Sequence, residues 1–231
     1  MKSEKSKYIK ESREAFITLR TNIDFAGIDD PIKCIALTSA KKGEGKSTVA
    51  ENLAIAEAMA HKRTLLIDND FRNPQLARRF GVRGTHKLSS IMNAAEEDLM
   101  EYCLPTDYPD LYLLDIANFR LSNPVEILSS RKYKALIELV KQSFDFVIID
   151  TPPIGLFIDA AIIAPLTDGV LLVIGNSMTT ASEEKEIISQ LDKAKAKIIG
   201  TVFNGEKHAH SSDYYYYDKK THTKKRRSSA E

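Results

Sequence analysis

Apolar and polar residues alternate along the chain in blocks that predict strands separated by helices. Each strand candidate is a short apolar run with little polar alternation, which is typical of strands buried on both faces of a parallel sheet. The segments between them have the length and spacing of helices. The pattern predicts strands at 32–38, 64–68, 111–115, 146–150, 169–174 and 198–203, and helices at 47–60, 86–101, 124–143, 157–165 and 181–195. We expect an α/β fold in which helices flank a parallel sheet on both faces.

The two ends of the chain differ from this pattern. Phe16, Leu19 and Ile23 recur at helical spacing and predict an amphipathic helix over about 11–23. From residue 205 onward the chain is polar and lysine-rich, which predicts a disordered tail. The sequence therefore divides into a helical leader at 1–30 that could serve oligomerisation, a main domain at 31–204 and a flexible tail at 205–231.

Composition excludes several classes of protein. The 231 residues suffice for one α/β domain, and a formal net charge of +1 argues against a nucleic-acid partner. No apolar run is long enough to cross a bilayer, and no signal region follows the charged N-terminus. Cys34 and Cys103 have no Cys-x-x-Cys spacing, so we expect reduced thiols and a cytoplasmic protein.

A glycine-bearing loop follows the first predicted strand and opens the next helix. This order is that of a phosphate-binding loop, in which main-chain N–H groups and a helix N-terminus face a polyphosphate. Lys46 would reach the β- and γ-phosphates, and the Ser47 hydroxyl would bind Mg²⁺. Ala40 replaces the usual first glycine, and Lys41 lies inside the loop. The predicted nucleotide-binding residues are Lys42, Gly43, Glu44, Gly45, Lys46, Ser47 and Thr48.

Two predicted strands end in carboxylates, at the sheet edge where ligands of α/β proteins bind. Asp150 follows an apolar run in a Walker B arrangement, which places a carboxylate beside Mg²⁺. Asp68 and Asp70, two residues apart, can face the same way, so that one organises Mg²⁺ and the other accepts a proton. A single such Asp more often caps a helix or a turn. Arg72 could contact phosphate, a neighbouring subunit or an Asp.

These motifs resemble those of the bacterial tyrosine kinases of capsule and exopolysaccharide synthesis, which have a MinD/ParA-like ATPase fold. The resemblance covers nearly the whole chain. The matching segments are Walker A at 43–48, Walker A′ (Asp-x-Asp-x-Arg) at 65–72, an Asn-Pro segment at 122–130, Walker B at 146–153 and the last strand at 201–204, whose Asn204 lies near adenine in related ATPases. The resemblance implies ATP and Mg²⁺ as cofactors.

The tail contains a run of four tyrosines between two aspartates. Tyr214, Tyr215, Tyr216 and Tyr217 lie in a polar segment that cannot bury them. They match the cluster that these kinases phosphorylate on one another, so we expect them to be phosphoacceptors. The alternative is that the aromatic run docks on a groove or a partner.

The resemblance also implies partners. Family members form rings through a Glu-x-x-Arg-x-x-Arg helix, of which this chain has Glu14 and Arg20 but Ile17 in the middle. Members without a membrane segment are activated by a separate transmembrane protein that resembles polysaccharide chain-length regulators. The implied partners are that activator, further copies of the chain for trans-phosphorylation and a tyrosine phosphatase, at the inner face of the membrane.

Two functions remain open on the sequence. In the first, the chain is an ATP-dependent protein-tyrosine kinase with Asp68 as base, while Asp70, Asp150 and Ser47 organise Mg²⁺. In the second, it is a nucleotide-driven positioning switch of the MinD/ParA kind, which Lys41 favours because those ATPases carry a lysine there. The tyrosine run and the lack of an amphipathic membrane helix at the C-terminus favour the kinase. A metal-cluster carrier is excluded by the lack of Cys-x-x-Cys.

Overall fold

A computed structural model describes the backbone over residues 2–117 and 123–205 and the side chains from Arg13 onward within these ranges. The predicted disordered tail, with Tyr214 to Tyr217, lies outside the described residues. So does Ser122 of the Asn-Pro segment. The described part therefore contains the predicted nucleotide site but not its predicted acceptors.

The described strands form one seven-stranded sheet in the order β3-β4-β2-β5-β1-β6-β7. All neighbouring pairs are parallel except β3 and β4. The strands are β1 Cys34–Ser39, β2 Thr64–Asp68, β3 Leu104–Pro105, β4 Leu111–Asp115, β5 Phe146–Asp150, β6 Gly169–Gly175 and β7 Ile198–Asn204. The predicted parallel sheet is confirmed, and each predicted strand is present.

Helices connect these strands. They are α1 Lys2–Ala26, α2 Lys46–Ala58, α3 Leu76–Phe80, α4 Leu88–Ile91, α5 Leu99–Tyr102, α6 Pro124–Leu128, α7 Arg131–Ser143, α8 Asp159–Ile163 and α9 Ala181–Lys193, with a 3-10 helix at Ala164–Leu166 after α8. Among the described helices, none combines the length and apolarity that a bilayer crossing requires.

The sheet separates two apolar clusters. Successive residues of a strand face opposite sides, so Ile35 and Leu37 pack with α1, α2 and α3 whereas Cys34 and Ala36 pack with α7, α8 and α9. This alternation confirms helices on both faces. In α1, Ile23 is buried against the first cluster, as its helical spacing predicts.

Two predicted helices are wrong in extent. The segment predicted as a helix at 86–101 contains only α4 and α5, each a single turn, joined by turns. The helix predicted at 124–143 is interrupted between α6 and α7, because the Ser130 hydroxyl caps α7 by accepting a hydrogen bond from the Tyr133 N–H at 3.1 Å.

Two short elements lacked a sequence signal. β3 is two residues long and ends in a proline, so it has neither length nor alternation. α3 is a five-residue helix that begins at Leu76, four residues after the end of the Walker A′ segment. Its start at Leu76 matters for the site, because its first N–H groups face Asp68.

Candidate functional site

The central strands bring the predicted motifs to one edge of the sheet. In the parallel register, Leu37 of β1 pairs with Asp150 of β5, and Asp150 pairs with Asp68 of β2. The loop that follows β1 therefore lies beside both carboxylates. Asp115 of β4, which was not predicted as a site residue, pairs with Asp68 in the same register and is buried. Like Asp68, Asp115 is an acid at the end of an apolar strand, so the same sequence pattern could have identified it.

The phosphate-binding loop has the backbone that its glycines predict. Gly43 and Gly45 have φ of 93° and 90°, a region that favours glycine, and α2 begins directly at Lys46. A Cβ on Gly45 would lie 1.8 Å from Asn204 Nδ2. That amide donates a hydrogen bond to the Glu44 carbonyl at 2.9 Å. The last residue of β7 is thus seated on the loop, and only glycine fits beneath it.

Glu44 is a buried acid that braces the loop. Its carboxylate accepts hydrogen bonds from the Lys41 N–H at 2.7 Å, the Gly175 N–H at 3.2 Å and the Thr179 hydroxyl at 2.5 Å. The loop is therefore tied to the connection between β6 and α9. Because these hydrogen bonds occupy the carboxylate, Glu44 can contact a nucleotide through its main chain but not through its side chain.

Lys46 forms an ion pair with the Walker B carboxylate. Its Nζ lies 2.7 Å from Asp150 Oδ1, and both side chains are buried. The same nitrogen lies 3.4 Å from the Ser47 hydroxyl. The structure thus brings together a lysine, a hydroxyl and a carboxylate that were predicted separately from two motifs.

Asp68 is buried and held by main-chain N–H groups. Oδ2 accepts hydrogen bonds from Gln75 and Leu76 at 2.9 Å each, and Oδ1 accepts one from Asp70 at 3.2 Å. Burial, aided by the neighbouring charge of Asp150, raises the pKa of Asp68 to about 7, although these three bonds oppose the rise. A carboxyl that titrates near neutrality can accept a proton from a substrate at physiological pH.

Asp70 organises the turn after β2. Its Oδ1 accepts hydrogen bonds from the N–H groups of Arg72 at 3.2 Å and Asn73 at 3.0 Å. Asp68 and Asp70 both bond to N–H groups of the same connection, which is the turn role that a lone Asp after a strand usually has. Their carboxylates keep lone pairs for further partners.

Arg72 pairs with an aspartate of its own chain, which was one of its three predicted roles. Nη1 lies 2.6 Å from Oδ1 of Asp159, a fully buried residue at the start of α8. The guanidinium also lies 3.9 Å from the centre of the Phe157 ring. Asp159 was not predicted, because nothing local in the sequence joins it to Walker A′.

Asn69, between the two Walker A′ aspartates, is also anchored. Its N–H donates to the Asp150 carbonyl at 2.9 Å, which joins β2 to β5 beyond their paired residues. Its Oδ1 accepts a hydrogen bond from the hydroxyl of the buried Tyr133 at 3.0 Å. Its buried Nδ2 has no hydrogen-bond partner among the described residues. Helix α7 thus contacts this edge of the sheet through the Tyr133 hydroxyl.

Lys41 is engaged within its own chain. Its Nζ donates to the Met178 carbonyl at 2.9 Å and to Glu183 Oε2 at 2.8 Å. This contact with Lys41 lowers the pKa of Glu183 to about 2. The residue that favoured the positioning switch therefore fastens the phosphate-binding loop to α9 here.

The predicted oligomer residues lie on α1, outside the phosphate-binding motifs. Glu14 is exposed on α1, whereas Arg20 is half-buried and its Nη1 lies 3.4 Å from the Ala56 carbonyl of α2. Between α1 and α2 is a cavity of about 570 Å³ that extends from Ile17 to Asn204.

The donor set fits a nucleotide with Mg²⁺. Within the described residues, no three His, Cys, Asp or Glu side chains cluster closely enough to hold a metal by themselves. Mg²⁺ in nucleotide sites needs no such cluster, because phosphate and water supply most of its ligands and one or two protein oxygens suffice. The Ser47 hydroxyl and Asp150, both within reach of Lys46, are such oxygens. Gly43, at a positive φ that favours glycine, places no side chain in the cradle.

The glycine loop, the start of α2 and the Lys46–Asp150 pair at the carboxyl edge of a parallel sheet define a P-loop nucleotide-binding protein. Residues 32–201 match the family model of an AAA domain. The chain is 35% identical to the tyrosine-protein kinase CpsD of Streptococcus agalactiae, over 96% of each chain. It belongs to the family of bacterial tyrosine-protein kinases.

Solved structures agree with this family. The kinase domain of the Escherichia coli tyrosine kinase ETK superposes with a TM-score of 0.79 at 28% identity, over 88% of this chain and 79% of that one. The septum site-determining protein MinD of Pyrococcus horikoshii, complexed with Mg-ADP, gives a TM-score of 0.60 at 25% identity, over 74% and 69%. The predicted family and its MinD-like fold are confirmed, and the kinase is favoured over the positioning switch.

Proposed function

We propose that this chain is an ATP-dependent tyrosine autokinase that phosphorylates Tyr214, Tyr215, Tyr216 and Tyr217 and thereby regulates capsular or exopolysaccharide synthesis and export. The observation that supports it most is the meeting of Lys46, Asp150 and Asp68 at one edge of the sheet. These residues supply a cation for phosphate, a carboxylate on the metal side and a carboxyl that titrates near neutrality. Phosphoryl transfer requires these functions.

The nucleotide would lie along residues 42–48. The main chain of the loop and the N-terminus of α2 would face the phosphates, and Lys46 would turn from Asp150 toward the β- and γ-phosphates. Asn204, seated on the loop, would lie at the adenine side. The fold positions the loop, the start of α2 and Asn204 in the absence of a ligand, so the nucleotide would bind to groups that are already in place.

Asp68 is the proposed base for the acceptor phenol. It lies beside Asp150 and titrates near neutrality, so its ionised form can accept the phenolic proton as phosphate is transferred. Ser47, Asp150 and Asp70 would hold Mg²⁺, which when bound neutralises charge on the transferring phosphate. Lys46 would hold that phosphate in line with the phenol.

The proposed partners follow the family resemblance. We place the chain at the inner face of the membrane through a transmembrane activator, with Glu14 and Arg20 in an interface between copies that phosphorylate one another. A tyrosine phosphatase would reverse the modification. Each added phosphate brings about −1.5 to −2 charges to a lysine-rich tail, enough to change what the tail binds.

The test is site-resolved phosphotyrosine mapping. The chain is incubated with ATP, Mg²⁺ and the cytoplasmic part of a candidate activator, then digested and analysed by mass spectrometry. We expect phosphate on Tyr214 to Tyr217, and none in Lys46→Met. Because that change leaves Asp150 buried without its cation, Ser47→Ala serves as a second inactive variant. Hydrolysis of ATP without phosphotyrosine would instead identify a positioning switch.

A further inference from the structure

Three consecutive apolar residues are exposed beside the catalytic edge. Leu156 and Ile158 are each 59% exposed and Phe157 is 36% exposed, in the connection between β5 and α8. Single exposed apolar residues are ordinary, but a contiguous group at the mouth of a site indicates contact with a ligand or partner. We call Leu156, Phe157 and Ile158 the apolar rim.

Both ends of the apolar rim are fixed to the catalytic motifs. On one side the Ile154 N–H donates to the Ser39 carbonyl at 2.9 Å. Gly155 packs so closely on the phosphate-binding loop that a Cβ there would lie 2.4 Å from the Ala40 carbonyl oxygen. On the other side the buried Asp159 holds Arg72 of Walker A′. The apolar rim therefore spans the gap between the nucleotide loop and the Asp70 turn.

Phe157 is partly covered, whereas its two neighbours are open to solvent. The Phe157 ring is covered by the Arg72 guanidinium, which also forms the ion pair with Asp159. Leu156 and Ile158, on either side of it, present their side chains to solvent. The structure thus offers two open aliphatic side chains on a base that is fixed by hydrogen bonds and an ion pair.

The tyrosine run fits this surface by its spacing. An extended chain advances about 3.3 Å per residue and its side chains alternate between two faces, so when one phenol enters the cleft the phenol two residues away projects to the same side, about 7 Å along the chain. The apolar rim borders the cleft, so this second phenol can contact it. Aliphatic contact has no direction, so the same surface would support whichever of the four tyrosines is being phosphorylated. Tyr214 comes nine residues after Gly205, a reach of about 30 Å when extended.

We propose that the apolar rim is the docking surface for the acceptor segment at 213–218 of a second copy of this chain. The proposal rests on the tyrosine-kinase function proposed above. The rim holds the phenols that flank the reacting one, so it contributes to acceptor binding and leaves the nucleotide site unchanged.

The first test measures binding without chemistry. A fluorescent peptide of residues 211–220 is titrated by anisotropy into the chain in which Tyr214 to Tyr217 are all replaced by Ser, so that its own segment has no aromatic rings with which to compete. We expect Leu156→Ser/Ile158→Ser to weaken peptide binding at least tenfold. The matched control is Ile188→Ser, which removes an exposed apolar side chain from α9, an element outside the rim, and should bind the peptide as before. Equal binding by all three proteins overturns the proposal.

The second test separates docking from catalysis. With a Ser47→Ala copy as acceptor, the rim variant should raise the acceptor KM about tenfold while kcat and the ATP KM change less than twofold. An unchanged acceptor KM in an active enzyme overturns the docking surface and leaves the kinase function intact. Peptide binding that depends on the rim, in a chain that forms no phosphotyrosine, supports docking and overturns the kinase function.

A folded face of another copy is the alternative occupant. Analytical ultracentrifugation of the rim variant distinguishes it. A loss of self-association together with unchanged peptide binding would make the apolar rim an interface between folded domains and overturn the proposal. Unchanged self-association with weakened peptide binding supports it.

Discussion

The carboxylate of Asp68 meets two opposing demands. Three main-chain N–H groups stabilise its charge, whereas burial and the charge of Asp150 oppose ionisation. Burial prevails, because the free energy lost when the carboxylate leaves water is larger than the stabilisation that the main-chain hydrogen bonds provide. A residue that looks like a turn cap is therefore also a group that changes its protonation near neutral pH.

This balance predicts the pH dependence of the kinase. Because the pKa of Asp68 is raised to about 7, the carboxyl is protonated below that pH and cannot act as base. We expect kcat/KM to rise about tenfold per pH unit below about 6.5 and to level off above about 7.5. Asp68→Asn should abolish this rise and leave a low rate that is independent of pH. A wild-type profile that is flat from about pH 5.5 to 8 would exclude Asp68 as the base.

Gly45 is the second position where a single residue decides the site. Gly45→Ala forces Asn204 off the Glu44 carbonyl and places a side chain at φ of 90°. We expect stability to fall by roughly 1–3 kcal/mol and nucleotide affinity to fall at least tenfold, measured by denaturant unfolding and calorimetry. Gly81→Ala is the matched control, since φ there is also positive but nothing lies within 4 Å. Equal nucleotide affinity in the two variants would contradict the role of Gly45.

At the scale of elements, the Walker A′ segment is positioned from three directions. α3 offers its first N–H groups to Asp68, α7 reaches Asn69 through Tyr133, and α8 holds Arg72 through Asp159. None of these helices belongs to a nucleotide-binding motif. These contacts fix the path of the segment between β2 and α3, and that path determines where the carboxylates of Asp68 and Asp70 lie.

The Tyr133–Asn69 contact allows this positioning to be tested. Tyr133→Phe leaves both polar atoms of the buried Asn69 side chain without a hydrogen-bond partner among the described residues, so we expect a loss of about 1–3 kcal/mol in unfolding free energy. It should also lower kcat more than it changes the ATP KM. Tyr112→Phe is the control, because the described residues give the Tyr112 hydroxyl no hydrogen bond while its ring packs on Phe144. If Tyr133→Phe and Tyr112→Phe changed stability and kcat equally, Tyr133 would have no positioning role.

Across the whole molecule, the sequence predicted what is encoded locally. Apolar runs located every parallel strand, and the loop at 42–48 was identified because strand, glycines and helix follow each other directly. The particular side-chain pairs that join distant segments were not predicted. Arg72 and Asp159 are 87 residues apart, and Tyr133 and Asn69 are 64 apart. Only the fold brings such pairs together, so pattern and spacing carry no signal for them.

The helix predictions at 86–101 and 124–143 failed for a related reason. Apolar spacing persists across both segments, but the Ser130 cap starts a new helix, and turns separate α4 from α5. Periodicity shows which residues face the core without showing where the backbone breaks. Breaks depend on local hydrogen bonds that compete with the helix.

The central claim is that this P-loop site transfers phosphate to tyrosines of another copy. The most direct measurement mixes an enzyme copy carrying Phe at Tyr214 to Tyr217 with an acceptor copy carrying Ser47→Ala, in ATP and Mg²⁺ with the activator. Mass spectrometry then reads phosphate on each chain. The account predicts phosphotyrosine at Tyr214 to Tyr217 of the acceptor copy alone. ATP turnover with no phosphate on the acceptor would contradict it.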